Sequence, residues 1–139
     1  RWLAPLRTLD PDGDPRTELT AYIEQKLQFS ADYPQASRLF ANEILQGADH
    51  LPQEARNHMR AVTAEKAAVV EGWIAAGKIA PVDVRHLFIL LWSATQFYAE
   101  FEALACDALR VPGLRAEDYD RAASTITQTV LHGLLPRDG

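Results

Sequence analysis

Residues 87–106 read LFILLWSATQFYAEFEALAC, and this stretch decides the fold class of the chain. It opens with six apolar residues, and at about 100° per residue its large side chains fall on several faces of a helix. A narrow polar sector holds Ser93, Gln96 and Glu100. A helix that is apolar almost all round is buried almost all round. The stretch therefore predicts a central helix with the domain's own core on one side and a partner subunit or a ligand on the other.

The same stretch does not read as a membrane span. Polar residues interrupt it at five positions, whereas a span needs about 20 predominantly apolar residues. Cys106 is the single cysteine of the chain, so an intramolecular disulfide is excluded, as is usual in a reducing compartment. We therefore expect a cytoplasmic protein with no membrane partner.

Size and charge limit the possible functions further. The chain has 139 residues, of which 47% are hydrophobic, and this suits one domain with a sizeable core. Its formal net charge is −5, and no block of Lys and Arg occurs. Because affinity for phosphate backbones comes from clustered cations, we expect this chain by itself to bind nucleic acid poorly.

Periodicity and breaking residues along the chain predict an all-α domain with five main helices. Asp14 and Pro15 are typical of an N-cap followed by the first helical position, and Asp83 is a candidate cap near the start of the central helix. Gly47 and Gly77 are typical of positions just after a helix. No stretch alternates with period two. The predicted helices cover residues 15 to about 30, 34 to about 46, about 52 to 76, 82–107 and 116–134.

Catalytic and metal-binding patterns do not occur in the sequence. There is no Glu-x-x-His pair of the kind that builds a di-metal site in a helical bundle. The four histidines are far apart in the sequence, and we interpret Cys106 as a small buried side chain and not a reactive thiol. We therefore expect no enzyme activity, no metal and no cofactor.

Three polar residues stand where the helical pattern expects apolar ones. Lys66 interrupts the apolar stripe of the third helix, so either its stem packs while its ammonium reaches water, or it is a buried counter-charge. Glu43 follows Phe40 on one face of the second helix. Gln96 lies one turn after Trp92, where its carboxamide fits either a helix-packing hydrogen bond, a position facing solvent, or the edge of a planar heterocycle. With Met59, these residues form our candidate pocket inside one subunit.

A series of short motifs resembles the C-terminal domain of TetR-type transcriptional repressors. The motifs are DYPQASRLF at residues 32–40, EILQG at 43–47, EK at 65–66, GW at 72–73, GKIAP at 77–81 and WSATQFYA at 92–99. More narrowly, the series is similar to the RutR branch, which controls genes of pyrimidine catabolism and responds to uracil and thymine. The resemblance extends over essentially the whole chain, in order.

This resemblance implies a regulatory domain that senses a ligand and forms a homodimer. Its last two long helices, here residues 82–107 and 116–134, would pack with those of the partner as a four-helix bundle. A uracil-like or thymine-like effector would be the ligand. The resemblance implies Lys66, Trp92, Gln96 and Tyr98 at the ligand. With the candidate pocket above, the predicted ligand-binding residues are Phe40, Glu43, Met59, Lys66, Trp92, Gln96 and Tyr98. The implied interface residues are Leu90, Phe97, Phe101, Leu104, Ile126 and Val130.

The resemblance also implies how the chain is divided. Residues 1–9 resemble the end of the connecting helix that follows a helix-turn-helix domain in this family, and residues 10–139 would form the ligand-binding and dimerisation domain. Operator DNA would then be bound through that preceding domain, and not by this chain. Two other classes stay open: a helical dimerisation or interaction module without a small-molecule effector, and, less favoured, a small helical enzyme.

Overall fold

The computed structural model describes residues 9–47 and 51–134, and within them every regular element is a helix. The all-α prediction is therefore confirmed. The predicted end of the connecting helix, at residues 1–9, lies almost wholly outside the described residues. The helices are α1 Pro15–Asp32, α2 Pro34–Leu45, α3 Gln53–Ala75, α4 Val84–Glu100, α5 Glu102–Leu109 and α6 Ala116–Leu134.

Short polar side chains start two of these helices, as the sequence predicts. The carboxylate of Asp14 accepts a hydrogen bond from the backbone N–H of Thr17 at 3.0 Å, and Pro15 occupies the first helical position of α1. The carboxylate of Asp83 accepts from the backbone N–H of His86 at 3.3 Å at the start of α4. These bonds satisfy N–H groups that have no partner within the first turn of a helix.

The predicted single helix over residues 82–107 is wrong, because the chain breaks into α4 and α5 at Phe101. Phe101 has φ −126° and ψ 47°, outside the helical range. The backbone carbonyl of Ala99 accepts a hydrogen bond from Nη1 of Arg38 on α2 at 2.9 Å, and the same nitrogen lies 3.3 Å from Oε1 of Glu102. Arg38 thus supplies a partner for a carbonyl at the end of α4 and holds the turn from α2.

The core lies where α1 packs between α4 and α6. The apolar stripe of α1 predicted from the sequence, which includes Leu19, Ile23 and Leu27, is almost fully buried. Trp73 of α3 is also buried, and its indole N–H donates to the backbone carbonyl of Pro11 at 3.2 Å. Other members of the core are Val70, Phe88, Leu91 and Leu131.

One face of α4 and α5 leaves large apolar side chains exposed. The rings of Phe97 and Phe101 stack on it with centroids 5.3 Å apart, and Leu104 is 58% exposed. Ile89 and Leu90 extend the same exposed set toward the start of α4. None of the helices in the described ranges combines the length and apolarity to cross a bilayer. We call these five residues the apolar face.

Candidate functional site

A chain of side-chain hydrogen bonds joins α1, α2 and α4. Nζ of Lys26 donates to Oε1 of Gln96 at 2.6 Å, and Nε2 of Gln96 donates to Oε2 of Glu100 at 2.9 Å. The hydroxyl of Ser37 donates to the same carboxylate oxygen at 3.2 Å. We call these four residues the polar network. Because an ammonium only donates, the oxygen of Gln96 has to face Lys26, and this fixes the orientation of the carboxamide.

Lys26 is a cation held inside the domain, with its residue surface only 5% exposed. Burial lowers the pKa of its ammonium from the ordinary 10.5 to about 8. The carboxylate of Glu100 opposes that change by attraction, while the positive charge of Lys66 adds to it by repulsion. Burial of a charged group without a close counter-ion is costly, so the low pKa follows from the position of Lys26 between the helices.

Lys66, on α3, is a second lysine within the packed part of the domain, and its residue surface is 8% exposed. Burial lowers the pKa of its ammonium, and the carboxylate of Glu65 opposes this by attraction. Within the described residues, the Lys66 ammonium has no hydrogen bond and no ion pair. Thr127 Oγ1 is the one buried side-chain polar atom without a hydrogen bond among the described residues, so the ammonium of Lys66, which has none, reaches water while its stem is buried.

Trp92 lies at the edge of this polar region and also faces a groove. Its indole N–H donates to the hydroxyl of Tyr22 on α1 at 3.1 Å, so the polar edge of the ring is already satisfied. Burial raises the pKa of Tyr22, and the hydrogen bond from Trp92 opposes that change. On the other side, Trp92 and Met59 line a groove of about 850 Å³ between α3 and α4. Arg56, Arg60 and Arg85 also line this groove.

The predicted ligand-binding residues lie at different places in the fold. Gln96 belongs to the polar network. Trp92, which lies one turn before Gln96 on α4, contacts Tyr22. Phe40 and Glu43 are half-buried on α2. Tyr98 lies elsewhere, since its ring packs against Tyr119 of α6 with centroids 6.0 Å apart.

Sequence reasoning missed Lys26, although the sequence carries the signal. Lys26 interrupts the apolar stripe of α1 in the same way that Lys66 interrupts the stripe of α3: it follows Tyr22 by four residues and Ile23 by three. A search for every charged residue within an apolar stripe would have found both lysines. Ser37 gives no such signal, because a serine in the first turn of a helix is common.

The residues implied at a dimer interface fall into two groups. Leu90, Phe97, Phe101 and Leu104 belong to the apolar face. On α6, Val130 is 9% exposed and belongs to the chain's own core, and Ile126 is partly buried against that core. Of the implied interface residues, the accessible ones therefore lie on α4 and α5.

The chemistry of this region consists of hydrogen-bond donors, acceptors and charge. Across residues 9–47 and 51–134, no group of three His, Cys, Asp or Glu side chains is arranged to hold a metal ion. Cys106 is a free thiol at an intermediate level of burial on α5. Polar and aromatic side chains from α1, α2 and α4 thus meet in a partly buried region.

Comparison with known proteins places the chain in a family. A family model described as "YcdC-like protein, C-terminal region" matches residues 1–137. The chain is 39% identical over 137 residues to the HTH-type transcriptional regulator RutR of Escherichia coli strain K12, and equally to that of Shigella flexneri. The match covers 98% of this chain and 64% of each relative. The chain therefore belongs to the family of YcdC-like C-terminal regions, which are regulatory domains of TetR-type transcriptional regulators.

Proposed function

We propose that this chain is the ligand-sensing and dimerising part of a TetR-type transcriptional regulator, and that its effector is a small planar polar molecule of the pyrimidine class. The observation that carries the proposal is the hydrogen bond between buried Lys26 and Gln96, one turn from Trp92. The relatives are named as transcriptional regulators, and the chain spans about 64% of their length. Operator DNA would be bound by a part of the regulator outside this chain.

The polar network supports a planar ligand with both donors and acceptors. The oxygen of Gln96 is occupied by Lys26, and one amide hydrogen is occupied by Glu100. A carboxamide has two donor hydrogens, so one remains for a ligand carbonyl. Trp92, one turn before Gln96, adds a flat aromatic surface against which a planar ring could pack.

The apolar face supports dimerisation. Monomeric domains rarely leave contiguous apolar patches beyond a few hundred Å² exposed to water. Phe97, Phe101 and Leu104 expose large apolar side chains along α4 and α5, and the first two rings stack on each other. A two-fold axis would bring this surface against the same surface of a second copy, which covers both at once.

A helical interaction module without a small-molecule effector is the second candidate. The observation in its favour is a further set of exposed apolar side chains on α2, where Leu39 is 73% and Leu45 is 77% exposed. The proposed dimer through α4 and α5 does not account for these residues. Such a surface is typical of a protein–protein contact.

A thermal-unfolding screen with nucleobases separates the two candidates. Uracil and thymine are expected to raise the unfolding midpoint in a concentration-dependent way, since a ligand that binds the folded state stabilises it. Calorimetry on the same protein would then give the affinity. If neither base binds at millimolar concentration while the chain is folded and dimeric, the pyrimidine assignment fails and the interaction module is favoured.

A further inference from the structure

Two consecutive residues of α2 form hydrogen bonds with the break between α4 and α5. The hydroxyl of Ser37 donates to Oε2 of Glu100 at 3.2 Å. Nη1 of Arg38 donates to the backbone carbonyl of Ala99 at 2.9 Å and lies 3.3 Å from Oε1 of Glu102. These partners stand on both sides of the residue at which the helix is interrupted. We call Ser37 and Arg38 the α2 clamp.

The local sequence around the break favours a continuous helix. Residues 98–106 read YAEFEALAC, in which Ala, Glu and Leu are good helix formers and neither glycine nor proline occurs. Phe101 nevertheless has φ −126° and ψ 47°, outside the helical range. Local preference thus opposes the break, so contacts from elsewhere in the fold have to favour it. The α2 clamp supplies such contacts.

The backbone angles at Phe101 also set the shape of the apolar face. Phe97 lies on α4 before the break, and Leu104 lies on α5 after it. A continuous helix would present Phe97, Phe101 and Leu104 as a straight stripe, because positions i, i+4 and i+7 share one side of a helix. The break bends this stripe, with the two rings stacked at a centroid distance of 5.3 Å and an interplanar angle of 25°. A self-complementary contact needs one fixed shape, so it depends on what holds the break.

α2 buries little of its own surface. Within Pro34–Leu45, Ser37 is the one buried residue, whereas Leu39 and Leu45 are 73% and 77% exposed. Elements with few buried apolar contacts open at a lower free energy than core helices. The α2 clamp thus connects a helix that can shift easily with the surface proposed for dimerisation.

We propose that the α2 clamp controls dimerisation: Ser37 and Arg38 hold α5 at one angle to α4, so that Phe97, Phe101 and Leu104 meet a second copy in a fixed shape. A surface already fixed in its bound shape associates more tightly, because less freedom is lost on binding. Ser37 and Arg38 are therefore positioning residues, which act through the angle of α5. The inference rests on the proposed function, because it assigns a control to the dimer described there.

The dissociation constant of the dimer, measured by sedimentation, tests the proposal. Arg38→Ala should raise it at least about tenfold, because the carbonyl of Ala99 loses its partner and the angle of α5 is released. Arg38→Lys keeps a donor for this carbonyl and should recover most of the loss. Ser37→Ala should raise the dissociation constant as well. Arg16→Ala, at an exposed position of α1, is the control and should dimerise as wild type does.

The outcomes separate the clamp from the dimer itself. Circular dichroism establishes that each variant is folded before its dissociation constant is interpreted. A folded Arg38→Ala variant whose dimer is as tight as that of wild type, or tighter, would overturn the role of the clamp and leave the proposed function in place. A wild-type chain that is monomeric at about 50 μM would contradict the proposed dimer and, with it, the inference.

Hydrogen exchange covers the case in which the clamp variants do not fold. Leu104→Glu changes an exposed residue and should give a monomer that keeps the clamp residues. By thermodynamic linkage, a clamp that strengthens the dimer is itself strengthened by dimerisation. The backbone amides of α2, which lies outside the proposed interface, should therefore exchange at least about tenfold faster in this monomer than in the wild-type dimer. The amides of residues 53–60, in the poorly buried first turns of α3, should exchange equally in both proteins. Equal exchange of the α2 amides would overturn the proposal.

Discussion

Lys26 and Gln96, which are 70 positions apart in the sequence, are joined by a 2.6 Å hydrogen bond between the ammonium of α1 and the amide oxygen of α4. The bond gives the buried cation an acceptor, and it fixes which atom of Gln96 faces which neighbour. The carboxylate of Glu100 in turn accepts hydrogen bonds from the amide nitrogen of Gln96 and from the hydroxyl of Ser37. Gln96 and Glu100 of α4 thus connect three helices, so changes at Gln96 should affect both stability and ligand binding.

Gln96→Leu is expected to weaken pyrimidine binding by at least tenfold, about 1.4 kcal/mol, because it removes the pairing edge while roughly keeping the volume. It should also lower the free energy of unfolding by about 1–3 kcal/mol, since the ammonium of Lys26 loses its acceptor. Calorimetry and urea unfolding measure the two effects. Gln35→Leu, at an exposed position of α2, is the control. If Gln96→Leu binds uracil as wild type does, Gln96 has no part in recognition.

The stability of the domain should rise with pH above about 8. The pKa of Lys26 is about 8 in the folded chain and near its ordinary 10.5 when unfolded, so the unfolded chain binds more protons between these values. The full penalty, at most about 3 kcal/mol, is present below pH 8 and disappears as the pH approaches 10.5. Lys66 contributes in the same direction.

Urea unfolding between about pH 7 and pH 9.5 measures this effect before the tyrosines titrate. Tyr22 and Tyr119 have raised pKa values, so both stay protonated in the folded chain over that range. Lys26→Met should show a flatter profile than wild type, and Lys78→Met should show the wild-type profile. A wild-type profile in Lys26→Met would show that Lys26 is not the titrating group.

Leu104→Glu should shift the chain from dimer to monomer. Leu104 is 58% exposed on the apolar face, so a charge there costs little in the monomer but opposes burial in an interface. Leu39→Glu, at a site on α2 that is 73% exposed, is the matched control and should leave the dimer intact. Sedimentation of both variants measures the outcome, and monomeric wild type at about 50 μM would contradict the dimer outright.

Val130 is unsuitable for the same test, although the family resemblance implies it at the interface. It is 9% exposed and packs in the core of the chain. Val130→Asp is expected to reduce the stability of the subunit itself, because it buries an unpaired charge. Circular dichroism at increasing temperature would detect that loss before any change in assembly is interpreted.

Arg38→Ala should destabilise the chain by about 1 kcal/mol, because the carbonyl of Ala99 loses a hydrogen bond of 2.9 Å. The ion pair with Glu102 is partly exposed and adds little. Urea unfolding measures the change against Arg16→Ala, an exposed residue of α1. Stability equal to that of the control would mean that Arg38 does not hold the turn between α4 and α5.

The ends of helices could be predicted from the sequence because their causes are local. Asp14, Asp83 and Gly77 act through bonds or backbone angles within a few residues, and the structure has them where the pattern expects, with Gly77 at φ 74°. The break at Phe101 could not be predicted in this way. No glycine or proline precedes it within α4, and the group that holds the turn, Arg38, comes from another helix.

The candidate site could also be predicted only in part, because the sequence shows local patterns but not the contacts between distant residues. Periodicity identifies a polar residue within an apolar stripe, so Lys66 and Gln96 could be named from the sequence. Their partners are set by how α1 packs on α4, and this depends on contacts between residues far apart in the chain. Hence Lys26 and Glu100 are recognised as members of one network from the structure.

Glu100 and Phe101 are consecutive residues with opposite surroundings. The carboxylate of Glu100 accepts two hydrogen bonds from inside the domain, while the ring of Phe101 stacks on Phe97 at the surface. A rotation of the backbone at Glu100 and Phe101 therefore changes the surroundings of both side chains at once. Substitutions on the two sides of this turn should therefore be non-additive in a double-mutant cycle, although their side chains do not touch the same neighbours.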